Sequence, residues 1–276
     1  MNCIITGIDG FSGLRVKNLL ERSKIDCIGV SRKREGNNII KWDLIKKNNN
    51  RLDFNINWII HSAAIHKVSD FLKKSNKKKN ILMTKNLINF SKINQIKNII
   101  FFSTIDITYK NISGVKKDYN LSKLKSEEII LKAYKKKIFE KVVILRVPAI
   151  LGKGANDNFL INTIKQLKKN QEIIIHDRFK YNNFVHVKDL SSLILKILTF
   201  CNFKKNKKSN FFDIVNCLST NHIHISKKIK MIKKKLNSNS KINILKPSKK
   251  LTLLNAKKNR YNFKFMTCDR SIELML

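Results

Sequence analysis

Proline and glycine are both scarce in this 276-residue chain, with two of the first and eight of the second. That shortage goes with an inflation of Lys, Asn and Ile along the whole chain. Acidic residues are also few, 19 against 58 lysines and arginines, which leaves a formal charge of +39. Five cysteines (Cys3, Cys27, Cys201, Cys217, Cys268) lie far apart with no C-x-x-C pair. An odd, scattered set argues against a disulfide framework or a structural zinc site and fits a reducing, cytoplasmic compartment. No metal site is expected. No apolar run reaches the length of a membrane span; the best, around VVILRVPAILG, carries Arg146 and Pro148. The opening MNCIITGIDG has no basic leader, so neither a signal peptide nor a membrane span is expected.

What is present is an ordinary apolar fraction of 42%, enough for a substantial core. The excess charge is spread as lysine along every segment, whereas readers of nucleic acid gather Lys and Arg on one face and use Arg for base edges. Lys, Asn and Ile are inflated together, a compositional drift, so no nucleic-acid partner is expected.

Short apolar runs alternate with helical patterns through the first half, the signature of β-α-β units and a parallel sheet. Strands are predicted at NCIIT, CIGVS, NIIKW, NWIIHSAA, NIIFFST and VVILRV, with helices over 12–22, 76–94 and 118–136. Beyond Gly152 and Gly154 come a helix over 158–169, a strand at EIIIH, the segment FVHV, a helix over 187–200, an extended FFDIVN and a helical HISKKIKMIKKKL. NSNSKINILKPSKK is expected to be a connection. The fold expected is α/β, a doubly wound parallel Rossmann sheet with a smaller C-terminal substrate-binding lobe. Residues 1–155 form the dinucleotide domain and 156–276 mainly the lobe, with 183–200 and part of 211–220 returning to the first domain.

Thr6, Gly7, Gly10, Phe11, Ser12 and Gly13 close the first strand and open the first helix. Glycines at this spacing allow a tight turn, close approach to a pyrophosphate and close helix–strand packing, and the phosphates sit at the helix N-terminus. After the second strand the chain reads Ser31-Arg32-Lys33-Arg34, with no carboxylate until Glu35. A carboxylate there would suit the 2′-hydroxyl of NAD and an arginine the 2′-phosphate of NADP, so NADP(H) is expected over NAD(H).

The form T-G-x-x-G-x-x-G resembles the extended short-chain dehydrogenase/reductase superfamily, the branch of nucleotide-sugar epimerases, dehydratases and reductases. Further stretches match it in order over roughly the first 200 residues. Asp43-Leu44 resembles the aspartate that touches the adenine, and His61-Ser62-Ala63-Ala64 the H-x-A-A where small residues let the cofactor pass. Asn80 with Met83-Thr84-Lys85-Asn86-Leu87 resembles N-x-x-G-T-x-N-L. Ser103-Thr104 ends the fifth strand where the family places its hydroxyl, and Tyr119 and Lys123 form its Y-x-x-x-K. Leu145-Arg146 before Gly152, and Asn183 to Leu190, match two later segments. His61 and His186 are expected to be structural, and Asp189 to support the start of its helix.

The resemblance implies catalysis by Thr104, Tyr119 and Lys123. Dinucleotide contacts fall to the glycine-turn residues, Ser31, Arg32, Asp43, Leu44, His61, Ala63, Ala64, Asn80, Ser103, Lys123, Val147 and Pro148. Substrate contacts fall to Asn158 and Arg178. One helical turn separates Tyr119 from Lys123, and the ammonium is expected to lower the phenol's pKa. No T-D-E triplet is present, since Ile105 follows Thr104, which disfavours a 4,6-dehydratase. The expected function is an NADP(H)-dependent reductase or epimerase of a nucleotide-activated keto-sugar, in surface polysaccharide synthesis. Alternatives are reduction of a non-sugar carbonyl and a non-enzymatic dinucleotide-binding regulator. A homodimer through the Tyr119 helix is a further expectation of the resemblance.

Overall fold

Strands buried on both faces need near-continuous apolar runs, and the first, fourth, fifth and sixth predicted strands have them. In the computed structural model, which describes residues 1–66, 75–109, 116–177, 180–202, 209–245, 254 and 258–276, those runs form the middle of a seven-stranded parallel sheet. The strands in chain order are β1 (Asn2–Thr6), β2 (Asp26–Ser31), β3 (Ile39–Lys41), β4 (Trp58–His61), β5 (Asn98–Thr104), β6 (Lys141–Val147) and, much later, β10 (Phe211–Asn216). Their order across the sheet is β10-β6-β5-β4-β1-β2-β3. The direction of winding therefore reverses between β1 and β4, where ligands of open α/β sheets bind.

The helices of this unit are α1 (Phe11–Arg22), α2 (Ser75–Ile93), α3 (Lys117–Lys135) and most of α5 (Val187–Asn202). α1 buries Gly13, Val16 and Leu20, residues three or four apart that share one face. A core of β-branched and aromatic side chains, including Ile4, Ile59, Phe90, Ile99, Phe101 and Ile144, joins the sheet to α2 and α3. The chain divides into two compact units, the first comprising 1–147, 190–216 and 259–263, the second 148–189, 217–258 and 264–276.

The second unit holds β7 (Ala149–Leu151) beside β9 (Phe184–His186), and β8 (Ile173–His176) beside β11 (Ile242–Leu245). Its helices are α4 (Phe159–Lys168), α6 (Ile225–Lys235) and α7 (Cys268–Glu273). Its own core includes Leu160, Ile164, Ile175, Phe184, Ile229 and Ile272.

Two expectations change here. The segment expected to be a connection contributes a strand, because Ile242 to Leu245 pair in parallel with Ile173 to His176, a partner remote in sequence. The fourth strand ends at His61 rather than Ala64, because the Ser62 hydroxyl turns to donate to the Thr6 carbonyl oxygen, 2.6 Å away. Among the described residues no helix is long and apolar enough to cross a membrane.

Candidate active site

The glycine turn lies at the C-terminal end of β1, beside the reversal point of the sheet. Gly7 has φ +74°, and a Cβ there would lie 2.9 Å from the backbone of Ala63. A Cβ on Gly13 would lie 2.3 Å from the Gly7 carbonyl oxygen, so a side chain at either position forces the backbone apart. The Gly10 N–H donates to the Gly7 carbonyl at 3.0 Å. Among the described residues no side chain caps α1, and no acidic residue occupies its first turn, so the N–H groups of Phe11, Ser12 and Gly13 keep the positive end of the helix available to an anion. These residues fit the pyrophosphate of a dinucleotide.

Next to the turn, the Thr6 hydroxyl lies 2.8 Å from His61 Nδ1 and accepts from the Ala63 N–H at 3.1 Å. Burial, helped by the Lys123 ammonium, pushes the His61 pKa down to about 3, so the ring is neutral. His61 is 1% exposed and packs on Phe101, so it holds the turn together and offers no surface to a ligand. Ala63 and Ala64 follow as small, half-buried residues.

Asn80 is a brace between elements. Its Oδ1 accepts from Ile65 N–H at 2.9 Å, while its Nδ2 donates to the Ile65 carbonyl and to the Ser122 hydroxyl of α3. Leu44 is buried, and its carbonyl accepts from Asn86 Nδ2 at 2.9 Å. Asp43 accepts from Ile45 N–H at 3.2 Å, which pins the turn after β3.

The hydroxyl, phenol and amine expected to act together belong to one unit. Ser103 and Thr104 end β5, and Tyr119 and Lys123 lie on the first two turns of α3. Thr104 Oγ1 accepts from Asp106 N–H at 3.3 Å and so starts a short 3-10 turn over Ile105–Thr108. The Ser103 hydroxyl is buried and unpartnered among the described residues. Lys123 Nζ donates to the Phe102 carbonyl at 2.7 Å and lies 4.7 Å from the Phe101 ring centre. Burial lowers its pKa to about 7, with Glu127 opposing the shift. Glu127 is in turn held by the Arg146 guanidinium at 2.8 and 3.2 Å.

Tyr119 departs from expectation. Burial and the Asp106 carboxylate push its pKa up, not down, so the phenol is protonated at neutral pH. The spacing that predicted a lowering considered Lys123 alone; the tertiary structure adds partial burial and the Asp106 carboxylate, both of which favour the neutral phenol.

At the end of β2, Ser31 Oγ donates to Asp9 Oδ2 at 2.6 Å and accepts from the Lys33 and Arg34 N–H groups. Arg34 Nε donates to Asp9 Oδ1 at 3.1 Å, and Arg32 is exposed. Asp9 was not among the residues expected at the site, although its place inside the glycine turn was the available signal.

Val147 ends β6 and Pro148 follows it. Asn158 caps α4: its Oδ1 accepts from Ile161 N–H at 3.2 Å and its Nδ2 donates to the Ile150 carbonyl at 3.2 Å. Arg178 lies outside the described residues. Asp189 stands in the first turn of α5, but its carboxylate accepts from the distant Met266 N–H at 2.7 Å; burial raises its pKa to about 6. It is a tie between remote segments rather than only a support for its own helix.

No curated protein matches the chain. Solved structures do. A UDP-glucose 4-epimerase from Thermotoga maritima, with UDP-glucose, is 16% identical with a TM-score of 0.78 over 100% of this chain and 97% of its own. MoeE5, in complex with UDP-glucose and NAD, is 17% identical with a TM-score of 0.77 over 100% and 97%. RMD from Pseudomonas aeruginosa, complexed with NADPH, is 18% identical with a TM-score of 0.77 over 100% and 97%. At these identities the likeness is one of fold. The model of a family of NAD-dependent enzymes matches residues 3–214, and by that match the chain belongs to the NAD dependent epimerase/dehydratase family.

Proposed function

We propose that this protein is an NAD(P)(H)-dependent reductase or epimerase acting on a nucleotide-activated keto-sugar, in surface polysaccharide synthesis. The observation that carries the proposal is that Thr104, Tyr119 and Lys123 share one unit with an uncapped glycine-turn helix at the reversal of the sheet. The likeness in fold to a UDP-glucose-bound epimerase supports the substrate class. Five buried, free cysteines support a reducing, cytoplasmic setting. The basic run after β2 favoured NADP(H); with Arg34 held by Asp9, that support reduces to Arg32 and Lys33, and either dinucleotide suits the site.

In this scheme the backbone N–H groups of Phe11, Ser12 and Gly13 bind the pyrophosphate. The dinucleotide, when bound, supplies or takes the hydride at the sugar carbon. Tyr119, kept protonated by partial burial and the Asp106 carboxylate, donates the proton to the substrate oxygen, which suits the direction of reduction. Thr104 orients that oxygen through its hydroxyl. Lys123, fixed by the Phe102 carbonyl, keeps further N–H donors for the nicotinamide ribose and brings positive charge to the phenol when protonated. Asn158 has both ends of its amide engaged, Oδ1 in capping α4 and Nδ2 on the Ile150 carbonyl, and Arg178 is kept as a substrate contact on the resemblance. A homodimer through α3 belongs to the proposal on family grounds and is checked by sedimentation.

Tyr119→Phe is expected to lower turnover of a UDP- or GDP-linked 4-keto-sugar by about 10² to 10⁴-fold while nucleotide affinity stays within a few-fold. Full turnover in that variant would remove Tyr119 from the chemistry.

A further inference from the structure

A dinucleotide's adenosine ribose is read at the end of the second strand, by a carboxylate that accepts from the 2′-hydroxyl or by a cation that meets a 2′-phosphate. Ser31 occupies that end here, and its hydroxyl is fully committed. Its proton goes to Asp9 Oδ2 at 2.6 Å, and its oxygen accepts from the Lys33 and Arg34 N–H groups at 3.0 and 3.1 Å. It has nothing left for a phosphate. The carboxylate missing from the strand is delivered instead from the glycine turn, 22 positions earlier in the chain.

Resting on the proposal that the glycine turn binds a dinucleotide, we infer that Asp9 is the residue that sets nucleotide choice, in favour of NAD(H). Asp9 remains about one-third exposed, and its two oxygens hold lone pairs beyond those taken by Ser31 and Arg34, so a ribose hydroxyl finds an acceptor there. A 2′-phosphate brought to the same place meets a carboxylate of its own sign. Arg34, which could offset that repulsion, is bonded to Asp9 at 3.1 Å. Of the basic run, Arg32 and Lys33 are exposed and have no ion pair among the described residues, and they are the counterweight that the carboxylate must overcome.

The test is titration of the purified full chain with NADH and NADPH, followed by nucleotide fluorescence. The unaltered protein binds NADH at least tenfold more tightly than NADPH. Asp9→Asn keeps an acceptor for Ser31 but removes the charge, and it shrinks that ratio at least fivefold. Arg34→Ala leaves the carboxylate without its counterion and widens the ratio, which carries the test if Asp9→Asn does not fold. Tighter NADPH binding by the unaltered protein, a smaller change in folded Asp9→Asn, or an unchanged or narrowed ratio in Arg34→Ala overturns the inference. Binding of neither nucleotide by the unaltered protein defeats the dinucleotide proposal itself, a distinguishable result.

Discussion

His61 illustrates how a single side chain is chosen for its neutral state. Its ring is enclosed by Thr6, Phe101 and the neighbouring lysine, and its pKa of about 3 lies far below the ordinary value near 6.5. Between those values the unfolded chain takes up a proton that the folded chain refuses, so stability falls as pH drops from about 6.5 toward 3. The contribution at stake over that whole window is on the order of 5 kcal/mol. Melting temperature measured from pH 7 to pH 4 should fall less steeply in His61→Gln than in the unaltered protein; parallel curves would show that this imidazole is not the coupled group.

The elements are held in register by polar braces as much as by the core. Asn80 on α2 satisfies both backbone groups of Ile65 after β4 and reaches Ser122 on α3, and Thr84 one turn later reaches Ser126 at 3.1 Å. Asn80→Ala leaves the Ile65 backbone groups without these partners, and a loss of about 1–3 kcal/mol is expected by urea denaturation. Nucleotide affinity should fall with it, since the same segment borders the glycine turn. The contact between α1 and β1 is sharper still. Gly13→Ala places a methyl 2.3 Å from the Gly7 carbonyl oxygen, and overpacking of this kind costs about 1–3 kcal/mol. The expected readout is a lowered urea midpoint together with lost nucleotide binding. Unchanged stability would mean that α1 shifts freely on its strand.

For the whole molecule the dominant quantity is the charge of +39. Like charges in excess oppose compaction, and dissolved salt screens them over roughly 10 Å at 0.1 M. The ion pairs Lys77–Asp118, Lys125–Glu128, Lys165–Asp157 and Arg270–Glu273 are exposed on both sides and so contribute little. Melting temperature should therefore rise by several degrees between 20 mM and 300 mM sodium chloride, read by differential scanning fluorimetry. A fall over that range would show that attractive pairs outweigh the repulsion.

Local patterns were enough to establish the α/β class, most strands of the parallel sheet and the glycine turn, because apolar runs and glycine spacing act on neighbours along the chain. They also place a hydroxyl on β5 and a tyrosine and lysine on α3. Contacts across long stretches of sequence were decided only by the tertiary structure. The strand Ile242–Leu245 exists through a partner some 70 residues away, and Asp189 serves Met266 rather than only its own helix. Burial and Asp106 together reverse the expected shift at Tyr119, and Asp9 is carried to the end of β2. Periodicity reports which face a residue shares with its neighbours, whereas desolvation and distant charge depend on what the folded chain brings alongside.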